Sequence, residues 1–347
     1  MSEKTEALQE LRDKLEDYCR DAFPALESVD IEGLTTLNRG WESDVYGFDL
    51  VHGEGQEPLV LRVYPGVDAP TKSAHEFHAM RRLHAASYPV PKVLLLEREA
   101  SPFESPFVIM ERVEGHEMWP LLEKAQGQEE QQLVEQLGVL FVQLHRLDWR
   151  RFVEDEEAFA GRPYATVDDW LTTVREAIDQ FALDDFLPIL RWLETRREEV
   201  PCPQPAPTHN DYHPSNILLH SDGTAVVIDW TGFAISDPRF DLAWTLLLMG
   251  SYDGPQRREQ VLKAYERQAG GPVEALEFFE VAACLRRLGS IVVSVKAGAE
   301  QLGMRPGAEE TMRQQRGPLA YVYGLLQART DLSVPSVEVL LEEQAET

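Results

Sequence analysis

No Gly-Lys dipeptide occurs anywhere in this 347-residue chain, which removes the P-loop as a nucleotide site. Gly-x-Ser-x-Gly is missing too, so the nucleophile elbow of a serine hydrolase has no support. Cysteine is scarce. Cys19, Cys202 and Cys284 are scattered and odd in number, fitting neither a disulfide framework nor a metal site, and a cytoplasmic, reducing location is expected. No apolar run approaches membrane-spanning length, and the acidic start Met1-Ser2-Glu3-Lys4-Thr5-Glu6 lacks the apolar core of a signal peptide, so no membrane partner is expected. Basic residues are few, 33 against 60 acidic ones, and the formal net charge of −27 argues against DNA or RNA as a partner. The acidic excess is spread almost evenly before and after residue 110, which reads as a solvated surface rather than a field focused on a cationic substrate. The expected state is a monomer or weak dimer.

What the chain does have is concentrated in one stretch. His209-Asn210-Asp211-Tyr212-His213-Pro214-Ser215-Asn216 runs into the strand pattern Ile217-Leu218-Leu219, the turn signal Ser221-Asp222-Gly223, and a second strand pattern ending at Ile228-Asp229. A hairpin returns the chain to its starting end, so Asn216 and Asp229 are expected to be neighbours, with Asp211 on the loop leading in. An amide oxygen and a carboxylate converging in this way are hard ligands suited to Mg²⁺, and Asp211 is left to act as the base. This matches the phosphoryl-transfer template, in which one Asp accepts the hydroxyl proton while Asn and a later Asp hold metal on nucleotide phosphates. Singly, each would pass for a turn or capping residue. His209 and His213 have zinc-ligand spacing, but Asn210 and Pro214 break the helical zinc motif, and the histidines are read as orienting the loop.

Residues 209–216 and 228–230 resemble the aminoglycoside phosphotransferase and choline kinase family, whose catalytic stretch has the form His-x-Asp-x-His-x-x-Asn with a later Ile-Asp-Trp. Weaker similarity runs from about Leu37 to Trp244. The resemblance implies an α+β, two-lobed protein-kinase-like fold, with a small antiparallel-sheet N-lobe over residues 1–110 and a larger, mostly helical C-lobe over 111–347. A length of 347 residues and 43% hydrophobic content can support two such lobes. It also implies ATP or GTP as phosphoryl donor and a small-molecule hydroxyl as acceptor. Asp241, in Asp237-Pro238-Arg239-Phe240-Asp241, is implied to brace the catalytic loop.

The N-terminal part supplies candidates for the remaining roles. Ala7–Ala22 reads as a packing helix, and residues 34–37, 45–51 and 59–64 as strands. The segment Asn38 to Tyr46 holds a single glycine and is weak as a Gly-rich loop; the resemblance places Ser43 near phosphate. Arg62 on the third strand and Glu76 on a helix over 73–86 fit the phosphate-binding cation and the glutamate that holds it. Protein kinases use Lys there, and Arg differs in gripping phosphate through a planar fork. Phe107 to Gly115 reads as a strand turning polar at a hinge, where backbone groups from Glu111 to Val113 can meet a purine base. Downstream, amphipathic helical patterns cover 133–147, 168–199 and 256–330, and Pro201 to Pro207 is an extended connector. Trp170, Asp168, Asp169 and Glu280 read as surface or core before they read as acceptor-site walls. A protein kinase would need an activation loop after Asp229, for which there is no room. The reading from another class is a pseudokinase that binds nucleotide or metabolite without turnover.

Overall fold

Alternation decides the first part of the chain. In β3 (Gly55–Val63) Leu59 and Leu61 face one side and Val60 and Arg62 the other, because successive strand residues point to opposite faces. Leu59 and Leu61 join Leu15 and Cys19 of α1 (Glu3–Ala22), Ile31 of β1 (Asp30–Arg39), Phe48 and Leu50 of β2 (Asp44–His52), and Phe107 and Ile109 of β5 (Phe107–Glu111) in an apolar core. Burying side chains such as Phe48 and Leu61 completely contributes about 1.5–3 kcal/mol each. With β4 (Val93–Glu97) the strands form one sheet in the order β1-β2-β3-β5-β4, and every neighbouring pair is antiparallel. Arg62 lies on the face away from that core, its backbone opposite Val108 of β5. There α2 (Ala69–Ala85) packs against β4 and β5 and presents Glu76, which is fully buried.

This computed structural model describes residues 3–39, 43–53, 55–99, 101–153, 166–202, 204–302 and 316–343. Residues 40–42 of the expected phosphate loop, and 303–315 of the last helical pattern, lie outside the described residues. β1, β2 and β3 run longer than the sequence patterns that announced them. β4 had no announcement: Val93-Leu94-Leu95-Leu96-Glu97 is half-buried throughout and its pairing with β5 shifts register between Val93 and Leu95, so no clean alternation marks it.

The chain divides into two compact units, Met1–Gly115 with Leu218–Thr231, and His116–Ile217 with Gly232–Thr347. The sequence reading had placed everything beyond Met110 in the second. Leu218–Thr231 joins the first unit through specific bonds. Val227 N–H donates to Pro89 O at 2.8 Å, and the fully buried Trp230 ring meets Tyr88 edge-on at 5.7 Å.

The second unit is helical. Pro238–Tyr252 is buried almost all round, as a central helix must be. Leu276–Ala297 and Arg316–Thr330 pack on it and share a large apolar core with Val167–Gln180 and Leu187–Thr195. Gln128–His145 packs against Pro255–Ala269. A two-stranded ladder, Ala206–Thr208 antiparallel to Ala234–Ser236, sets the entry to the loop at 209–216 beside the start of the central helix. Among the described residues no helix is long and apolar enough to cross a membrane.

Candidate active site

In the first unit, Arg62 gathers three of the expected residues. Its Nε donates to Ser43 Oγ at 2.9 Å, Nη1 to Glu76 Oε1 at 2.8 Å, and Nη2 to Asp229 Oδ1 at 2.9 Å. The planar fork makes this three-way grip possible, which a Lys ammonium would not reproduce in fixed geometry. Glu76 also accepts from the Tyr64 hydroxyl and, at 3.1 Å, from Trp230 N–H. Burial works against the charge on Arg62, yet the carboxylates of Glu76 and Asp229 outweigh it and raise its pKa well above the ordinary value. Burial lifts Glu76 above the usual carboxylate range; the neighbouring Arg62 opposes that shift and Asp229 adds to it. Asp229 itself is 40% exposed, where Arg62 is 11% and Glu76 1%. Its φ of 66° lies in the left-handed region, one of the strained positions that concentrate at functional sites.

Glu111 and Val113 stand apart from this cluster at the end of β5. Glu111 N–H is spent on Lys92 O and Arg112 N–H on Pro58 O, so Val113 is the first residue past the ladder. Glu111 lies three residues beyond Val108, the partner of Arg62, which is about 10 Å along the strand and comparable to the reach from nucleotide base to phosphates.

In the second unit the loop at 209–216 hangs from one carboxylate. Asp241, fully buried near the start of the central helix, accepts His209 N–H at Oδ2 (2.7 Å) and Asn210 N–H at Oδ1 (2.8 Å). Charge-assisted bonds to two consecutive amides fix the turn tightly. His145 Nε2 lies 3.3 Å from the same carboxylate, and its Nδ1 is 2.9 Å from the Tyr265 hydroxyl. Asn210 takes φ 63° and donates through its side chain to Gly232 O at 2.8 Å. A Cβ at Gly232 would stand 2.8 Å from His209 O, so only glycine permits this approach. His209 is fully buried, with Nδ1 accepting from Asp211 N–H at 3.3 Å.

Asp211 emerges from this scaffold half-exposed. Its Oδ1 accepts from Trp244 Nε1 at 2.9 Å, and its Oδ2 lies 3.5 Å from His213 Nε2. Burial alone would raise its pKa, but the His213 contact outweighs that, with help from Trp244 and His209, and holds the carboxyl well below the usual carboxylate range. Asn216 is buried, and its Nδ2 donates to Asp211 O at 2.9 Å, which commits the amide nitrogen. The hairpin that follows has the expected order, Ile217–Leu219 and Ala225–Val227 around a turn closed by Gly223 N–H to His220 O at 3.0 Å. Among the described residues no cluster of three or more His, Cys, Asp or Glu is placed to hold a metal, and His209 and His213 serve the loop instead.

Sequence reasoning missed four participants: Tyr64, the Trp230 amide, Trp244 and Arg286, which donates to Asn210 O at 2.9 Å. Two carried a signal. Tyr64 follows Arg62 by two residues on extended chain and so shares its side, and Trp244 follows Asp241 by three on a helix and so shares its face.

A family model described as the phosphotransferase enzyme family matches residues 33–278. A mouse protein, acyl-CoA dehydrogenase family member 10, is 25% identical over 244 residues, covering 68% of this chain but only 22% of that protein's length. A crystal structure of a putative aminoglycoside phosphotransferase from Ralstonia eutropha superposes with a TM-score of 0.63 at 18% identity, over 89% of this chain and 97% of that one. An aminoglycoside phosphotransferase in complex with GDP and kanamycin gives 0.61 at 15%, over 95% and 97%. Another, in a ternary complex with AMP-PNP and hygromycin B, gives 0.58 at 18%, over 89% and 97%. At these identities the structural matches show a shared fold.

Proposed function

The chain belongs to the phosphotransferase enzyme family, and on that premise we propose that it moves the γ-phosphoryl group of ATP or GTP, presented with Mg²⁺, to the hydroxyl of a small molecule. The observation that carries this reading is Asp211, a carboxylate half-open to solvent on a loop whose backbone is strapped to Asp241. Its lowered pKa makes it a weak base in the ground state, and that suits this chemistry. In a loose phosphoryl-transfer transition state the hydroxyl proton leaves late, so the carboxylate's first task is to orient the O–H. As the acceptor oxygen bonds to the γ-phosphorus, the bond to the bridging oxygen breaks, the nucleoside diphosphate departs, and the proton passes to Asp211 and on to solvent.

The donor types of two residues suit a divalent metal held with substrate. Asn216 Oδ1 and the Asp229 carboxylate are hard oxygen donors, and Mg²⁺ commonly takes only one or two protein ligands besides water and phosphate. Bound there, the metal would neutralise charge on the nucleotide phosphates. Arg62, steadied by Glu76, is the proposed phosphate cation, with Ser43 beside it; the backbone at Glu111 to Val113 is the proposed base site. The test is calorimetry of Mg²⁺-nucleotide binding. Asn216→Ala and Asp229→Ala should each weaken binding by about tenfold or more with the fold retained, a loss of about 1.4 kcal/mol. Unchanged affinity in both variants overturns the metal assignment.

A further inference from the structure

We infer that Arg112, through its ion pair with Asp49, is a positioning residue for the base of the nucleotide, because it fixes the peptide that carries Val113 N–H. The inference rests on the base site proposed above and names what sets its geometry. It starts from register within the first unit. Asp49 of β2 stands opposite Pro58 of β3, and Arg112 N–H donates to Pro58 O at 3.0 Å, so the three residues lie in one row across the sheet. Pro58 has no N–H to give back, and the Arg112 backbone is left with a single ladder bond where β5 ends at Glu111. Side chains supply what the ladder lacks. Arg112 Nη2 donates to Asp49 Oδ1 at 2.6 Å and Nη1 to Phe48 O at 3.3 Å. On the other flank Glu111 Oε2 accepts Lys92 N–H at 3.1 Å. A bulge in β1 clears room for Asp49: the register shifts between Glu32 and Thr35, Gly33 takes φ 61°, and a Cβ there would stand 3.3 Å from Asp49 Oδ2.

The rows between this tether and Arg62 are suited to a planar base. Residues two apart on a strand share a face, so Arg62, Val60 and Pro58 mark three rows on the side of the sheet away from the α1 core. Arg62 pairs with Val45 and Val108, Val60 with Gly47 and Met110, and Pro58 with Asp49. The middle row is apolar, and a Cβ at Gly47 would stand 3.1 Å from the side chain of Leu37, which is 51% exposed. Four residues of strand, about 13 Å, separate the proposed phosphate cation from the tether. A partly exposed ion pair such as Arg112–Asp49 contributes little to stability. Its effect is geometric. The peptide unit is planar, so a guanidinium anchored on β2 that holds Arg112 also narrows the direction in which Val113 N–H points. A donor already held in place needs no ordering when a base arrives, and affinity rises accordingly.

Calorimetry on the whole chain with Mg²⁺ compares ATP, GTP, the nucleoside of whichever of these binds more tightly, and tripolyphosphate, which has the phosphates without a base. In Arg112→Ala and in Asp49→Ala the Kd of the nucleotide and of the nucleoside should rise about tenfold, with that of tripolyphosphate within about twofold. The double variant should be no weaker than either single one, because both remove the same contact. Arg112→Lys keeps a charge opposite Asp49 but loses the fork that also reaches Phe48 O, and should recover part of the affinity. In turnover measurements the nucleotide KM should rise in the alanine variants with kcat within about threefold. Equal losses for nucleotide and tripolyphosphate would make the pair a general brace and overturn the inference. An unchanged nucleoside Kd, or losses that add in the double variant, overturns it too. Failure of the phosphotransferase reading shows separately, in the wild type, as no binding of either nucleotide.

Discussion

The cluster around Arg62 and the loop around Asp211 hold their functional groups by opposite means. Arg62, Glu76, Ser43 and Asp229 come from two neighbouring strand regions, a helix and a distant hairpin, and bonds centred on the Arg62 guanidinium, with the Tyr64 hydroxyl and the Trp230 amide on Glu76, hold them together. In the Asp211 loop the side chains hold backbone instead, with Asp241 gripping two amides, Asn216 a carbonyl and Arg286 another. In the first region each charged group is both scaffold and tool. In the second, Asp241 serves the scaffold alone, and Asp211 can be changed without loosening the two amide bonds that Asp241 holds.

That contrast is open to direct attack, and the largest effect is expected in the first region. Glu76→Ala leaves a buried guanidinium short of its closest acceptor, which should cost about 3–5 kcal/mol of stability as well as activity. Denaturant unfolding measures it, and a loss under about 1 kcal/mol would mean that Arg62 is held adequately by Asp229 and Ser43. Asp211→Asn is the counterpart. Turnover should fall about 10²-fold or more, with nucleotide affinity little changed. Turnover equal to wild type would remove Asp211 from the chemistry. The smallest effect is a pH dependence. Because the folded pKa of Asp211 lies below its ordinary value of 3.8, its stabilising contribution is full above about pH 4 and is lost as pH falls through the folded value. The difference in unfolding free energy between wild type and Asp211→Asn should therefore be smaller at about pH 3 than at about pH 7. A difference that grows on acidification contradicts the assigned direction.

The same contrast explains what could be read from residues alone. The Asp211 loop was legible because its parts are close in sequence: the motif, the hairpin and Asp241 all fall within 209–241, where turn residues and strand patterns carry the geometry. Arg62 and Glu76 were legible as roles through their order on strand and helix, and the structure joins them directly. The joining of Asp229 to Arg62, 167 residues away, was not legible, because no local pattern encodes a long-range side-chain bond. Tyr64 and the Trp230 amide belong to the same class. β4 escaped for a different reason, since a bulged, half-buried strand has neither alternation nor a continuous buried run.

Asn210 and Asp229 both sit with φ near +65°, a conformation that β-branched and bulky residues avoid and that Gly, Asn and Asp accept. At 229 the replacements that spare the backbone are therefore the ones that take away the carboxylate, glycine above all. A variant at 229 that keeps this backbone unstrained is thus, asparagine and glycine alike, one that has lost the negative charge facing Arg62.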